Sequence, residues 1–198
     1  NSPASGPMGD ALNKAATLGR VLFFDRKLSL NDTVTCASCH LPAQGFSDPN
    51  QFSTGFSGTA FTSAHSMRLA NARYFRPGSM FWDKRAASLE AQVVQPLQNS
   101  IEMGFDAAHG GMAALLAKMR GLGYYPELFK FAYGSDTITE AGVQTALSAF
   151  VRSMVSTNSR WDTAYAQVYN AALPDKGLSL SLPGFSTQED RGRQLFMT

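Results

Sequence analysis

The pentapeptide CASCH, residues 36–40, holds both cysteines of the chain and places a histidine directly after the second. Two thiols at this spacing can each form a thioether to a haem vinyl group while the adjacent imidazole ligates the iron. A zinc half-site, a redox dithiol and a structural disulfide are the other uses of such a pair. Zinc wants a second pair of ligands, and only His65 and His109 remain, in dissimilar contexts. A thioredoxin-like dithiol prefers a strand-to-helix turn within a βαβ unit, and none is legible. Covalent haem is therefore the favoured chemistry, held by Cys36, Cys39 and His40. In bacteria such attachment takes place outside the cytoplasm, so the expected compartment is the periplasm, reached through a signal peptide since removed.

The elements that must position this group read as mostly helical. Leu12, Ala15, Ala16, Gly19, Leu22 and Phe23 recur at helical spacing and predict a first helix from Asp10 to about Asp25. The stretch from Leu41 to Ser79 is rich in Gly, Ser, Pro, Thr and Phe and reads as a long ordered loop, a kind usually tied to function. FWDKRAASLEAQVVQP predicts a helix with Asp83 as N-cap and Pro96 as its stop. Met112, Leu115, Leu116 and Met119 mark another. Val143, Ala146, Leu147, Phe150 and Met154 form one stripe, with Thr137 and Glu140 spaced as a capping box. A further helix is expected after Ser159, and Ser186 with Glu189 spells a second box before RGRQLF. GLSLSLPGF suits a linker better than a strand. The predicted class is mainly α: a c-type cytochrome-like helical domain around a covalent haem, with long ordered loops and little sheet.

Composition agrees with a compact globule and removes some partners. Of 198 residues, 44% are hydrophobic and 16% charged, which leaves no case for chain-wide disorder. Seventeen basic side chains against 15 acidic ones are scattered, so nucleic acid is not an expected partner. Apolar runs such as VLFF and ALSAFV fall far short of the roughly 18 residues of a spanning helix.

A longer ordered pattern surrounds the pentapeptide: LGRVLFFDRKLSLNDTVTCASCHLPAQGFSD, then FSTGFSG, FWDKRAASLEAQ, PLQNSIEMG and RGRQLF. From about Leu18 to the chain end this resembles the bacterial di-haem cytochrome c peroxidase and MauG family. The resemblance implies two c-type haem domains, of which residues 1–180 correspond to the first, peroxide-reacting one. In family members RGR-LF shortly precedes a second CxxCH. Residues 181–198 are thus expected to be a linker and the first helix of a second haem domain that is otherwise absent.

Roles carry over where motifs match. His40 is implied as the proximal iron ligand, leaving the opposite position for hydrogen peroxide. Glu102 in NSIEMG corresponds to the distal acid, which moves a proton between the peroxide oxygens. Gln92 and Pro96 match distal-pocket positions; by composition alone they are an exposed amide and a helix stop. Phe81 and Trp82 match the aromatic pair before the helix, with Trp82 at the position lying between the two haems; they could equally be a staple and a core anchor. Arg85 is a candidate partner of a haem propionate. Calcium between domains is carried over as a candidate cofactor.

Two departures stand out. Some family peroxidases carry a distal histidine in the glycine-rich loop that must leave iron before peroxide binds, and Ser57 stands at that position here; without that blocking ligand the haem is expected to be open in the resting state, as in the MauG branch. His65, in the same loop, could serve as a reversible distal ligand or as a hydrogen-bonded loop residue; it falls where some relatives place an asparagine beside the calcium. Met67, Met80 and Met103 could be sixth ligands or core, and His109 suits a cap. Three functions follow from these features. The first is a peroxidase fed by a small cytochrome or cupredoxin through a second haem. The second is a MauG-like maturase oxidising a partner protein, and the third an electron-transfer cytochrome. A homodimer is carried over from some relatives.

Overall fold

A computed structural model describes residues 6–75 and 79–197. By contacts the chain forms two compact units, Asn1–Val155 and Ser156–Thr198. The first unit holds α1 (Gly6–Phe24), α2 (Cys36–Cys39), α3 (Leu89–Val93), α4 (Gly111–Arg120), α5 (Tyr124–Tyr133) and α6 (Glu140–Ser153); the second holds α7 (Arg160–Val168) and α8 (Thr187–Met197). Extended pairing among the described residues amounts to three isolated bridges, Leu41 with Ser47, Thr54 with Phe61 and Met80 with Ala86. The class is the mainly helical, sheet-poor one that the spacing of apolar residues predicts.

The core of the first unit is the crossing of α1 and α6. Ala15, Leu18, Leu22 and Phe23 of α1 are buried, as are Val143, Ala146, Leu147 and Val151 of α6. Gly19 faces α6 so closely that a Cβ there would lie 1.9 Å from the carbonyl oxygen of Ala146. Phe150, half-buried, sets its ring edge-on to Phe23 with centroids 5.2 Å apart. Met154 caps the end of α6 instead of extending its stripe.

Three local expectations need correction. The helix expected from Asp83 starts only after Ser88, whose hydroxyl accepts from the Ala91 N–H at 3.1 Å. Residues 80–86 instead close a bridged turn in which Phe81 (φ 72°) and Lys84 (φ 58°) are left-handed, and Asp83 is occupied by Arg85. α3 then stops at Val93, before Pro96, because proline disfavours helical backbone in the residue preceding it. The cap of α6 is Thr139, accepting from Gly142 N–H at 3.1 Å, so Glu140 is the first helical residue. Apolar spacing does not predict α5, because its aromatic sequence and Pro126 mask the burial of Tyr125, Phe129 and Ala132 on one face. A first-turn proline is compatible with a helix because its missing N–H needs no partner there.

In the second unit the boxes Ser159–Asp162 and Ser186–Glu189 form at the starts of α7 and α8. Buried Arg193 pairs with Asp190 at 2.9 Å and donates to the Leu180 carbonyl at 2.9 Å, closing the loop expected as a linker. Among the described residues no helix is long and apolar enough to cross a membrane.

α3 is tied to α6 by Arg152, which donates through both terminal nitrogens to the two carboxylate oxygens of Glu90, one at 3.0 Å. Hydrogen bonds from Arg152 hold the Glu90 carboxyl down to about 2. A carboxylate lowered on folding adds stability above its unfolded value, near 4.5, and loses it as pH falls through its folded value. The pair is half-exposed and screened, so Arg152→Ala should cost only about 1 kcal/mol at neutral pH. Urea unfolding midpoints of variant and parent should converge as the pH approaches 2; a constant gap across the acid range would assign the loss to packing.

Candidate functional site

The site is built on one turn of helix. Thr35 Oγ1 accepts from the Ser38 N–H at 3.1 Å while the Thr35 N–H donates to Ser38 Oγ at 2.9 Å, a reciprocal cap that winds residues 36–39 into α2. Residues three apart share a helix face, and Cys36 and Cys39 both line one cleft. His40 leaves the helix as its C-cap, N–H bonded to the Cys36 carbonyl at 3.0 Å, and lines the same cleft. Its Nδ1 lies 3.1 Å from the Phe46 carbonyl oxygen. A carbonyl only accepts, so Nδ1 carries the proton and Nε2 keeps a free lone pair.

The cleft encloses about 610 Å³, counting its open mouth. Phe23 of α1, Val93 of α3 and Leu147 and Val151 of α6 supply apolar wall, and Gln92, Pro96 and Glu102 line it too. Glu102 is positioned by backbone. Asn99 Oδ1 accepts from the N–H groups of Ile101 (2.8 Å) and Glu102 (3.0 Å), and the Phe56 N–H reaches the carbonyls of both, 3.1 Å each. Gly55 permits that approach, since a Cβ there would sit 2.0 Å from the Ile101 carbonyl oxygen. Burial pushes the Glu102 carboxyl above its ordinary value, with the charge of Arg85 opposing. That carboxyl has no hydrogen-bond partner among the described residues.

The donor set discriminates among the uses of a cysteine pair. Both cysteines are free thiols. Burial pushes Cys36 up to about 12 and raises Cys39 as well, the reverse of the lowering that makes a dithiol or a zinc thiolate reactive. Among the described residues no three His, Cys, Asp or Glu side chains gather as a metal site. Burial also keeps His40 neutral. Two protonated thiols on one face, a neutral imidazole with one free nitrogen and a broad apolar cleft fit a haem c.

A family model described as di-haem cytochrome c peroxidase matches residues 13–170. The chain belongs to the di-haem cytochrome c peroxidase family. It is 33% identical over 161 residues to the methylamine utilization protein MauG of Methylophilus methylotrophus, covering 81% of this chain and 45% of that protein. It is 32% identical over 158 residues to the cytochrome-c peroxidase IdrP1 of Denitromonas iodatirespirans, covering 80% of this chain and 39% of that one. Among solved structures, a MauG-like protein associated with microbial copper homeostasis superposes on all of this chain and 53% of its own, with TM-score 0.75 and 30% identity. The chain thus spans less than half the length of these two curated relatives.

Of the positions singled out by resemblance to the di-haem peroxidases, the cleft gathers Cys36, Cys39, His40, Gln92, Pro96 and Glu102. Phe81, Trp82, Arg85 and His65 are not in its lining. Arg85 stacks on the Phe81 ring at 3.6 Å, grips Asp83 with one terminal nitrogen (2.9 and 3.0 Å) and donates from Nε to Gln95 at 3.1 Å. Trp82, 65% exposed, donates its indole N–H to the His65 carbonyl at 2.9 Å. His65 has both ring nitrogens engaged within its loop: Nδ1 with the Asn50 carbonyl (3.0 Å), Nε2 with Ser47 Oγ (3.2 Å). Ser57 caps its own turn, accepting from the Ala60 N–H at 3.2 Å. Met103 is buried in the cleft wall, unlike Met67 and Met80, and His109 pairs with Asp106 at 2.7 Å. Sequence reasoning missed Ser66 and the Phe46 carbonyl, both bonded to His40. Their separations of 26 and 6 residues from His40 leave no periodic signal.

Proposed function

We propose that this chain is the peroxide-reacting part of a periplasmic di-haem oxidoreductase. In this assignment residues 1–180 form the haem domain, and residues 181–198 lead into a second haem domain. The supporting observation is the single cleft lined both by Cys36, Cys39 and His40 and by Gln92, Pro96 and Glu102. A haem c there would supply an iron able to bind peroxide and exchange electrons. Cys36 and Cys39 would tether it through their Sγ atoms and His40 would ligate it through Nε2. Glu102 takes the proton from one peroxide oxygen and returns it to the departing one. Gln92 offers an amide to orient peroxide, and Pro96 shapes the wall. Electrons reach the site from a small cytochrome or cupredoxin, with Trp82 on the route between haems. His65 belongs to its loop in this reading, and calcium and a homodimer stay secondary proposals.

A second reading, protein oxidation in the manner of a maturase, is favoured by His40 being the one histidine in the lining described and by Ser57 at the position of the blocking ligand. Visible spectra with and without peroxide test the common core. The chromophore should remain with the polypeptide through acidic acetone, and peroxide should alter its main absorption band. A colourless protein, or a spectrum indifferent to peroxide, overturns both readings; the latter result belongs to an electron-transfer cytochrome. Turnover with small cytochromes against candidate protein substrates then separates the two.

A further inference from the structure

Resting on the haem assignment above, we infer that Ser66 is a positioning residue that sets the donor strength of His40. The hydroxyl is 2.6 Å from the Cys39 carbonyl oxygen and 3.0 Å from His40 Nδ1. It has one proton, and the shorter contact, to an atom that only accepts, takes it. Ser66 Oγ therefore receives the Nδ1–H of His40, sharing it with the Phe46 carbonyl at 3.1 Å. Two acceptors on that N–H draw negative charge into the ring and make Nε2 a stronger ligand, as outer-shell acceptors do for metal-bound histidines. The same hydroxyl fixes the loop to the backbone of Cys39, so attachment point and ligand are aligned by one side chain.

The position of Ser66 is itself secured from both sides. Ser47 Oγ donates to the Ser66 carbonyl at 3.2 Å, and the carbonyl of the preceding residue, His65, receives the indole N–H of Trp82 at 2.9 Å. A stronger imidazole favours ferric over ferrous iron, which suits a site that must give electrons to peroxide.

The test compares Ser66→Thr with Ser66→Val in the haem-loaded protein, two side chains of one shape that differ by a hydroxyl. Midpoint potential and the ferrous iron–imidazole stretching frequency are read in each, with Ser66→Ala as a third variant. The threonine variant should match the parent in both. Valine and alanine should lower the frequency and raise the potential. The ferric–ferrous ratio should move by roughly three- to tenfold, tenfold being about 59 mV for one electron. Valine and threonine variants with equal potentials and frequencies, at equal covalent haem content, overturn the assignment to Ser66 and leave the haem reading intact. A parent protein without covalent haem overturns both.

Discussion

Replacing Glu102 by glutamine should slow the reaction with peroxide about 100- to 10,000-fold, the usual worth of a positioned acid–base group, without loss of covalent haem. Glutamine keeps the shape and the backbone bonds to Asn99 and Phe56 and removes only the exchangeable proton. The pH dependence carries a second signature. Burial raises the Glu102 carboxyl above 4.5, and the base form must be present to take the peroxide proton. The parent rate should therefore fall as pH drops through that raised value, while the glutamine variant stays flat over the same window. Stability should move the other way. A carboxyl raised on folding contributes stability that is complete below its unfolded value and lost as pH rises through its folded one. The variant should accordingly be more stable than the parent at neutral pH. Slower chemistry with greater stability is the trade expected of a functional group held in an unfavourable place. Stopped-flow peroxide rates and urea unfolding check both signs; a glutamine variant reacting at the parent rate removes Glu102 from the chemistry.

Gly19→Ala should be the most damaging single methyl in the scaffold, costing about 3 kcal/mol, the upper part of the range for overpacked cores. The added Cβ would meet the Ala146 carbonyl oxygen at 1.9 Å and Phe150 Cβ at 2.8 Å, and neither belongs to the free end of a flexible side chain. α1 and α6 must then separate, taking Phe23 from Leu147 and Val151 on the cleft wall. Helix propensity alone would have alanine stabilise by about 1 kcal/mol. Gly192 in α8 provides the contrast, because nothing lies within 4 Å of its added Cβ. Gly192→Ala should therefore raise the unfolding midpoint where Gly19→Ala lowers it. An upward shift in both would mean that the α1–α6 crossing can relax.

The scaffold was legible wherever apolar spacing and caps are local. α6 announces itself through Val143, Ala146 and Leu147, a helix begins after Ser159, and the box at Ser186 forms as spelled. What escaped depends on context: the left-handed backbone of Phe81 and Lys84 that turns 80–86 back on itself, and the aromatic α5, whose burial is decided by α1. The site divides in the same way. CASCH names its chemistry within five residues, whereas Glu102, Gln92 and Pro96 stood out only through family resemblance. Glu102 is brought to the cleft by an asparagine turn and by contact with Phe56, 46 residues earlier in the chain. No periodicity records such a meeting.

Gly55 gives that meeting a further meaning. The Glu102 carboxyl is mounted on no helix; it hangs from a seam between two loops that touch only because a side chain is missing. Cys36 and Cys39, by contrast, are wound into α2, and His40 caps its end. A change in the length or stiffness of either loop would therefore move the Glu102 carboxyl without disturbing α2.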